Sequence, residues 1–268
     1  MPTFPSEASA LLSFLLHSLI TIFVSIACHD LLFTPPSPTP PTDNQQSLSS
    51  FLLLYATFTA ISRYIASKNK PPPAAVATIY ELCWACNSAL VLSSISFLTS
   101  RPDLAVAAGV AVSIDQILWY VDIIGYYVYP RKKFIIGVCT YLTWKTTSWT
   151  RIITSTHHLW TMPLIIFGVG GNVGGWGFRQ LALSHVIVGV HVLCSRWLTP
   201  NAIGGIYLNI NLGYDLWLDI KKLERHFVWL FRISDERGIV FIPRLLFRWF
   251  GFNTICYGLL WVGCYWLY

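Results

Sequence analysis

Seven stretches of this chain are long and apolar enough to enter a lipid bilayer, and no other feature restricts its fold so tightly. A hydrocarbon core about 30 Å thick needs about 20 mostly apolar helical residues to cross it. Such runs lie at Ala8–Cys28, Leu48–Ala66, Ala74–Phe97, Leu104–Tyr127, Ile152–Val169, Phe178–Cys194 and Leu246–Tyr268, the fifth being short. Lipid offers no hydrogen bonds to a free N–H or C=O, so each run must be helical. The expected fold class is therefore all-α: a polytopic transmembrane helical bundle of about seven spans. No Lys or Arg precedes the first run to form a signal-peptide n-region. It therefore reads as a retained span, not a cleaved leader.

Charge supports the count. The connection "TPPSPTPPTDNQQS" is Pro- and Ser-rich, with Asp43 and no base. The second holds Arg63, Lys68 and Lys70, and the third balances Arg101 against Asp103. The fourth holds Arg131, Lys132, Lys133 and Lys145. The fifth is Gly-rich, with Arg179 near its end, and the sixth, from Arg196 to Arg248, is rich in both signs. Every even connection is basic and no odd one is, so the positive-inside rule places the even ones and the N-terminus in the cytosol. The whole chain, 1–268, reads as a single integral membrane domain. It comprises a Pro/Ser-rich loop at 29–47, a core at 76–217, a cytosolic amphipathic segment at 218–245 and a last span at 246–268. In "KKLERHFVWLFR", Leu223, Phe227, Leu230 and Phe231 fall near one helix face. That pattern suits a helix in the membrane interface or one packed on the cytosolic ends of the spans.

Composition agrees. Only 11% of the 268 residues are charged, against about 25% in soluble domains, and the mean hydropathy is +0.56. The net charge of +6 is confined to loops. No basic stripe is interleaved with stacking aromatics, so no nucleic-acid partner is expected. The seven cysteines, Cys28, Cys83, Cys86, Cys139, Cys194, Cys256 and Cys264, lie mostly in spans and do not resemble a disulfide framework.

A helix that only anchors a chain has no use for polar side chains, and several of these spans carry them. Span three contains Glu81, Cys83, Cys86 and Asn87, and span four contains Asp115, Gln116 and Asp122. Asp115, Trp119 and Asp122 share one helix face, as do Thr154, His158 and Thr161 in span five. His157 stands beside His158, and span six adds His185 and His191. Counted from the cytosolic ends at about 1.5 Å per residue, four spans bring these groups to similar depths. An ionisable group facing lipid costs several kcal/mol, so the set is expected to line a pocket in the cytosolic half of the bilayer. His17, alone in its span, and His191 read instead as structural, pinning helices by hydrogen bonds.

Four chemistries fit such a cluster. In the first, Cys83 is a nucleophile, His157 or His158 takes its proton, and Asp115 or Asp122 orients the imidazole. Asn87 or Gln116 then donates to an oxyanion. In the second, "CWAC" is a redox pair, but no convincing second cysteine pair exists to relay electrons. In the third, Cys83, Cys86, His157 and His158 hold zinc. Adjacent helical histidines diverge by about 100°, and neither the HExxH spacing nor any spaced His boxes occur, so no metal or other cofactor is expected. The fourth is a proton or ion pathway, for which the internal repeats common in transporters are not evident.

Three pieces, "YELCWACN…DQILWYVDIIG" (80–125), "STHHLWTMPL" (155–164) and "NINLGYDLW" (209–217), give the region 76–217 a resemblance to the YwaF-type multi-pass membrane proteins. These are similar to transmembrane acyltransferases that remodel ether phospholipids and, more distantly, to the androgen-induced lipid hydrolases. The resemblance implies acyl transfer or acyl hydrolysis on a lipid, with Cys83 matching the nucleophile and His157 or His158 the base. This chain departs from the pattern in having Glu-Leu before the cysteine, a second cysteine three residues on, and two histidines where one is expected. A transporter or channel built on Asp115 and Asp122, or a non-catalytic assembly subunit, are the competing expectations. Membrane lipids are the expected surroundings and the candidate substrate. The expected location is an endomembrane such as the ER in a eukaryote, or the inner membrane in a bacterium.

Overall fold

A computed structural model describes residues 5–33, 40–129, 134–169, 177–214 and 241–267. The described chain is all-α apart from one two-residue hairpin. Six of its helices or helix pairs are long and apolar enough to cross a membrane, and a bent pair would make a seventh.

The first helix, α1 (Glu7–Leu32), starts where the Ser6 side chain accepts from the Ser9 N–H. The second, α2 (Asp43–Lys68), starts in a capping box: the Thr42 hydroxyl accepts from Gln45 N at 3.3 Å, and Gln45 Oε1 accepts from Thr42 N at 3.1 Å. Each cap satisfies amides that a helix start leaves without partners. The run at 74–97 is not one helix. It divides into α3 (Pro72–Tyr80), a 3-10 turn (Glu81–Cys83) and α4 (Ala85–Leu98), with Trp84 extended and the axes bent by 41°. Then come α5 (Pro102–Val128) and a 3-10 turn at Thr140–Thr143. The short run at 152–169 is α6 (Trp149–Ser155) followed, after a turn at Thr156, by α7 (His157–Val169). After α8 (Phe178–Leu198) and the hairpin β1 (Ala202–Ile203) and β2 (Ile206–Tyr207), a 3-10 turn spans Ile210–Leu212. The last helix is α9 (Phe241–Leu267).

Lipid tails are as apolar as leucine, so such helices associate by close packing and interhelical hydrogen bonds. Small residues serve this on α4 and α5, where Ala85, Ala89, Ala107, Ala108 and Ala111 are buried with Leu183, Ile187 and Val188 of α8. At Gly109 a Cβ would lie 2.9 Å from Met162 Sδ and 3.0 Å from Ile165 Cδ1, so any larger residue there would push these side chains of α7 aside. Pro163 lies inside α7 and has no N–H for the carbonyl four residues back. The Tyr120 hydroxyl of α5 donates to that carbonyl, Leu159 O, at 2.7 Å.

Polar pairs at the two ends record an alternating succession. Lys68 meets Glu7 at 2.5 Å at one end, and Arg101 meets Asp30 at 3.1 Å at the other. Gln180 Nε2 donates to Asp103 at 2.6 Å at that second end. Most of the amphipathic segment at 218–245 and of the Gly-rich connection lies outside the described residues.

Candidate functional site

The site begins with the break between α3 and α4, where the chain leaves helical geometry and frees backbone groups. Asn211 satisfies two of them. Its Nδ2 donates to Cys83 O at 2.9 Å and to Ser195 Oγ at 2.7 Å, and its Oδ1 accepts from Ala85 N at 2.6 Å. Asn211 holds φ at 52°, a left-handed conformation that asparagine tolerates better than most residues. The Asn87 amide donates weakly to Glu81 O and Leu82 O, at 3.3 and 3.4 Å. Asn87 Nδ2 is thus turned back on the break and is not free to serve an oxyanion.

A tightened turn at Thr156, still right-handed at φ −65° and ψ −16°, starts α7 on two histidines. Their ring centroids lie 4.2 Å apart. His157 Nδ1 contacts Thr154 O at 2.6 Å. A carbonyl only accepts, so this nitrogen carries the proton and Nε2 keeps its lone pair. His157 Nε2 is buried and has no partner. Trp119 stacks on His158 at 5.9 Å. The Tyr55 ring meets His157 edge-on at 6.2 Å, and its hydroxyl donates to Ile153 O at 2.6 Å. Tyr55 thereby anchors the turn from α2, a role that a single tyrosine in an apolar run does not announce.

The break and the turn bring three groups together. The Sγ of Cys86 and a ring nitrogen from each of His157 and His158 lie within 4.8 Å of one another. Cys86 and His158 are partly exposed, while His157 is 4% exposed. Cys83 sits elsewhere, fully buried in a cluster with Val76, Ile79, Tyr80, Ile203 and Ile210, on the side of Cys194. In an unbroken helix the two thiols share nearly one face; the break sends them apart.

The carboxylates of α5 also part company. Asp115 is partly buried and lies within electrostatic range of the Cys86 and Cys256 thiols. Asp122 is fully buried and bound to backbone. It accepts from Ile136 N at 2.7 Å, from Gly137 N at 3.0 and 3.1 Å, and from Cys139 N at 3.0 Å. Gly137 has φ of 112°, which makes this concave run of amides possible. Asp122 therefore holds a loop. Gln116 is 1% exposed, and among the described residues neither its Nε2 nor its Oε1 has a partner.

Two features adjoin the centre. A groove of about 420 Å³, its open mouth included, lies between α1, α2 and α4. Phe14, Ile22, Ala60 and Val91 line its length with Leu82, Asn87 and Ser88, which are chain neighbours of the cysteines; Cys86, His157 and His158 are not in its lining. Glu81 is clamped between Arg63 at 2.7 Å and Arg151 at 3.1 Å, with Lys70 nearby on Thr78 at 2.7 Å. Burial, followed by the Arg151 and Arg63 guanidiniums, lowers the Lys70 ammonium below its ordinary value, against the pull of Glu81. Three cations thus meet one carboxylate one or two turns from the Cys–His group.

No family model, curated protein or solved structure matches this chain.

Proposed function

We propose that this multi-pass membrane protein transfers or hydrolyses lipid acyl groups, with Cys86 as the nucleophile and His157 or His158 as the base. The observation that carries the reading is the convergence of the Cys86 sulfur with two imidazole nitrogens at the junction of α4, α5 and α7. A thiol beside a neutral imidazole is the arrangement that activates cysteine. His157 is held as the tautomer whose Nε2 accepts a proton.

In this account a histidine removes the Cys86 proton and the thiolate attacks the acyl carbonyl carbon. The carbonyl oxygen takes up the negative charge as the C–S bond forms. The C–O bond to the lipid then breaks, and the imidazolium returns its proton to the leaving alkoxide, leaving a thioester on Cys86. Water, or the hydroxyl of an acceptor lipid, reverses these steps with the same histidine as base. Gln116 carries an amide N–H free to donate to the oxyanion. Asp115, charged or neutral, sets the field around the thiol. The groove suits an acyl chain, and the cations around Glu81 suit an anionic head group.

The test is to incubate the purified protein in nanodiscs with alkyne-tagged acyl phospholipid and map the adduct. The reading expects a hydroxylamine-labile acyl group on Cys86, absent in Cys86→Ala and retained in Cys83→Ala. An adduct on Cys83, or none on any cysteine, contradicts it.

The same three atoms favour a second reading. Two imidazoles and a thiolate with one open position form a donor set suited to zinc, and a histidine steadied by a backbone carbonyl is typical of a ligand. On that reading purified protein carries about one zinc per chain, lost together in Cys86→Ser and His157→Ala. On the thiol reading, full activity persists after exhaustive chelation.

A further inference from the structure

His17 links α1 to α8 through the backbone of His191, as a structural histidine would, but it is not alone on its helix. From Ser9 onward, every fourth residue of α1 is polar: Ser9, Ser13, His17, Thr21, Ser25 and His29. Each is a surface neighbour of the next, the row turning about 40° around the helix at every step, and the last four are at most 2% exposed. The surface of α1 is otherwise strongly apolar, with Leu12, Leu19 and Phe23 more than half exposed. From His17 to His29 the row is therefore turned inward, while Ser9 and Ser13 are partly exposed. His17 faces α8, where its ring lies 5.1 Å from that of His191.

The stripe is unsatisfied. Both ring nitrogens of His17 and of His191, the hydroxyls of Thr21 and Ser25, and His29 Nε2 lack a well-formed hydrogen-bond partner. The two histidines do not pin the helices by a hydrogen bond between their rings. With one His17 nitrogen loosely held by the His191 backbone, about six buried polar atoms have no partner among the described residues; these are costly unless water reaches them, and buried water habitually fills that role.

We propose that the α1–α8 seam is a proton path across the bilayer, with the His17–His191 pair as its central relay. The geometry suits the task. Twenty residues from Ser9 to His29 rise about 30 Å, the thickness of the hydrocarbon core. Successive groups stand about 6 Å apart, the span of two hydrogen bonds of about 2.8 Å through one water. At one mouth His29 Nδ1 meets the Asp30 carboxylate at 2.9 Å, and Asp30 is open to solvent and paired with Arg101. At the other, Ser9 and Ser13 stand within hydrogen-bonding reach of the Tyr80 hydroxyl, near the Glu7–Lys68 pair. A proton entering at Asp30 passes to His29, along waters held by Ser25 and Thr21, and onto one imidazole of the pair. That imidazole releases a proton from its other nitrogen toward Ser13, so one proton enters and one leaves. The path shares no residue with the Cys86 centre and stands whether or not acyl chemistry occurs there.

The test is proton flux into sealed liposomes containing the protein and a trapped pH dye, with potassium and valinomycin clamping the voltage. Wild type is expected to collapse an imposed pH step at least tenfold faster than protein-free liposomes. The pair Thr21→Val and Ser25→Ala removes two hydroxyls that bond to no described protein group, so it should fold and melt close to wild type while flux falls to the protein-free rate. His17→Asn and His191→Asn should each lower flux at least fivefold. Wild-type flux no greater than that of protein-free liposomes overturns the path. So does flux that the hydroxyl pair leaves unchanged. A merely structural seam predicts the opposite pattern: lower melting temperatures and no flux to lose.

Discussion

Asn211 donates to the carbonyl of Cys83 at 2.9 Å across 128 residues of sequence, and so clamps the break on which the position of Cys86 depends. Asn211→Ala leaves Cys83 O, Ala85 N and Ser195 Oγ without this partner. At roughly 1–3 kcal/mol for a buried group left unpaired, with partial relaxation, the loss is expected to be about 2–4 kcal/mol. Reversible unfolding in mixed micelles measures it, and a loss under about 0.5 kcal/mol would show that the break holds itself.

Tyr120 and Pro163 form a second coupled pair. Tyr120→Phe removes the donor to Leu159 O and should cost about 1 kcal/mol. Pro163→Ala gives that carbonyl an N–H within its own helix, so the tyrosine change should cost far less in the Pro163→Ala background. A double-mutant cycle reads this directly. Additive costs would mean that the hydroxyl does not replace the missing helix bond.

Asp115 and Asp122 should separate by phenotype. Asp122→Asn weakens contacts to three backbone amides and is expected to cost about 2–3 kcal/mol, the scale of hydrogen bonds to a charged group. Acyl turnover per folded molecule should be retained. Asp115→Asn should change turnover at least tenfold with little loss of stability. Equal effects on turnover would place both carboxylates in the reaction.

Lys70 should leave a mark in alkaline solution. Its folded pKa lies below its ordinary 10.5, so between the two values the unfolded chain binds more protons and stability rises with pH. Lys70→Met removes this dependence. The melting temperature of wild type should therefore rise relative to that of the variant as pH rises toward 10.5. A difference that stays constant contradicts a depressed Lys70.

The sequence showed the membrane class plainly, because long apolar runs admit few folds. Helices occur in each of the seven regions read as spans, with α3–α4 broken and α6–α7 tightened at Thr156. Neither feature is visible in composition: Trp84 sits in a run that reads as continuous helix, and Thr156 suits a helix as well as a turn. Depth and the resemblance both point to Cys83, and neither registers the break beyond which Cys86 meets the histidines. Asp122 lay at the right depth, yet depth does not tell whether a carboxylate meets a substrate or a returning loop. The fourfold period of α1 was present in the residues all along. Its serines and threonine pass as ordinary span residues until burial sets them in line with His17 and His191.

The most direct measurement is the identity of the acylated residue after single-turnover incubation with tagged phospholipid, read by peptide mass spectrometry in wild type, Cys83→Ala, Cys86→Ala, His157→Ala and His158→Ala. The account predicts a hydroxylamine-labile acyl group on Cys86 in wild type and Cys83→Ala, and at least tenfold less of it in one histidine variant. No thioester on Cys86 under conditions where the wild-type protein stays folded would contradict it.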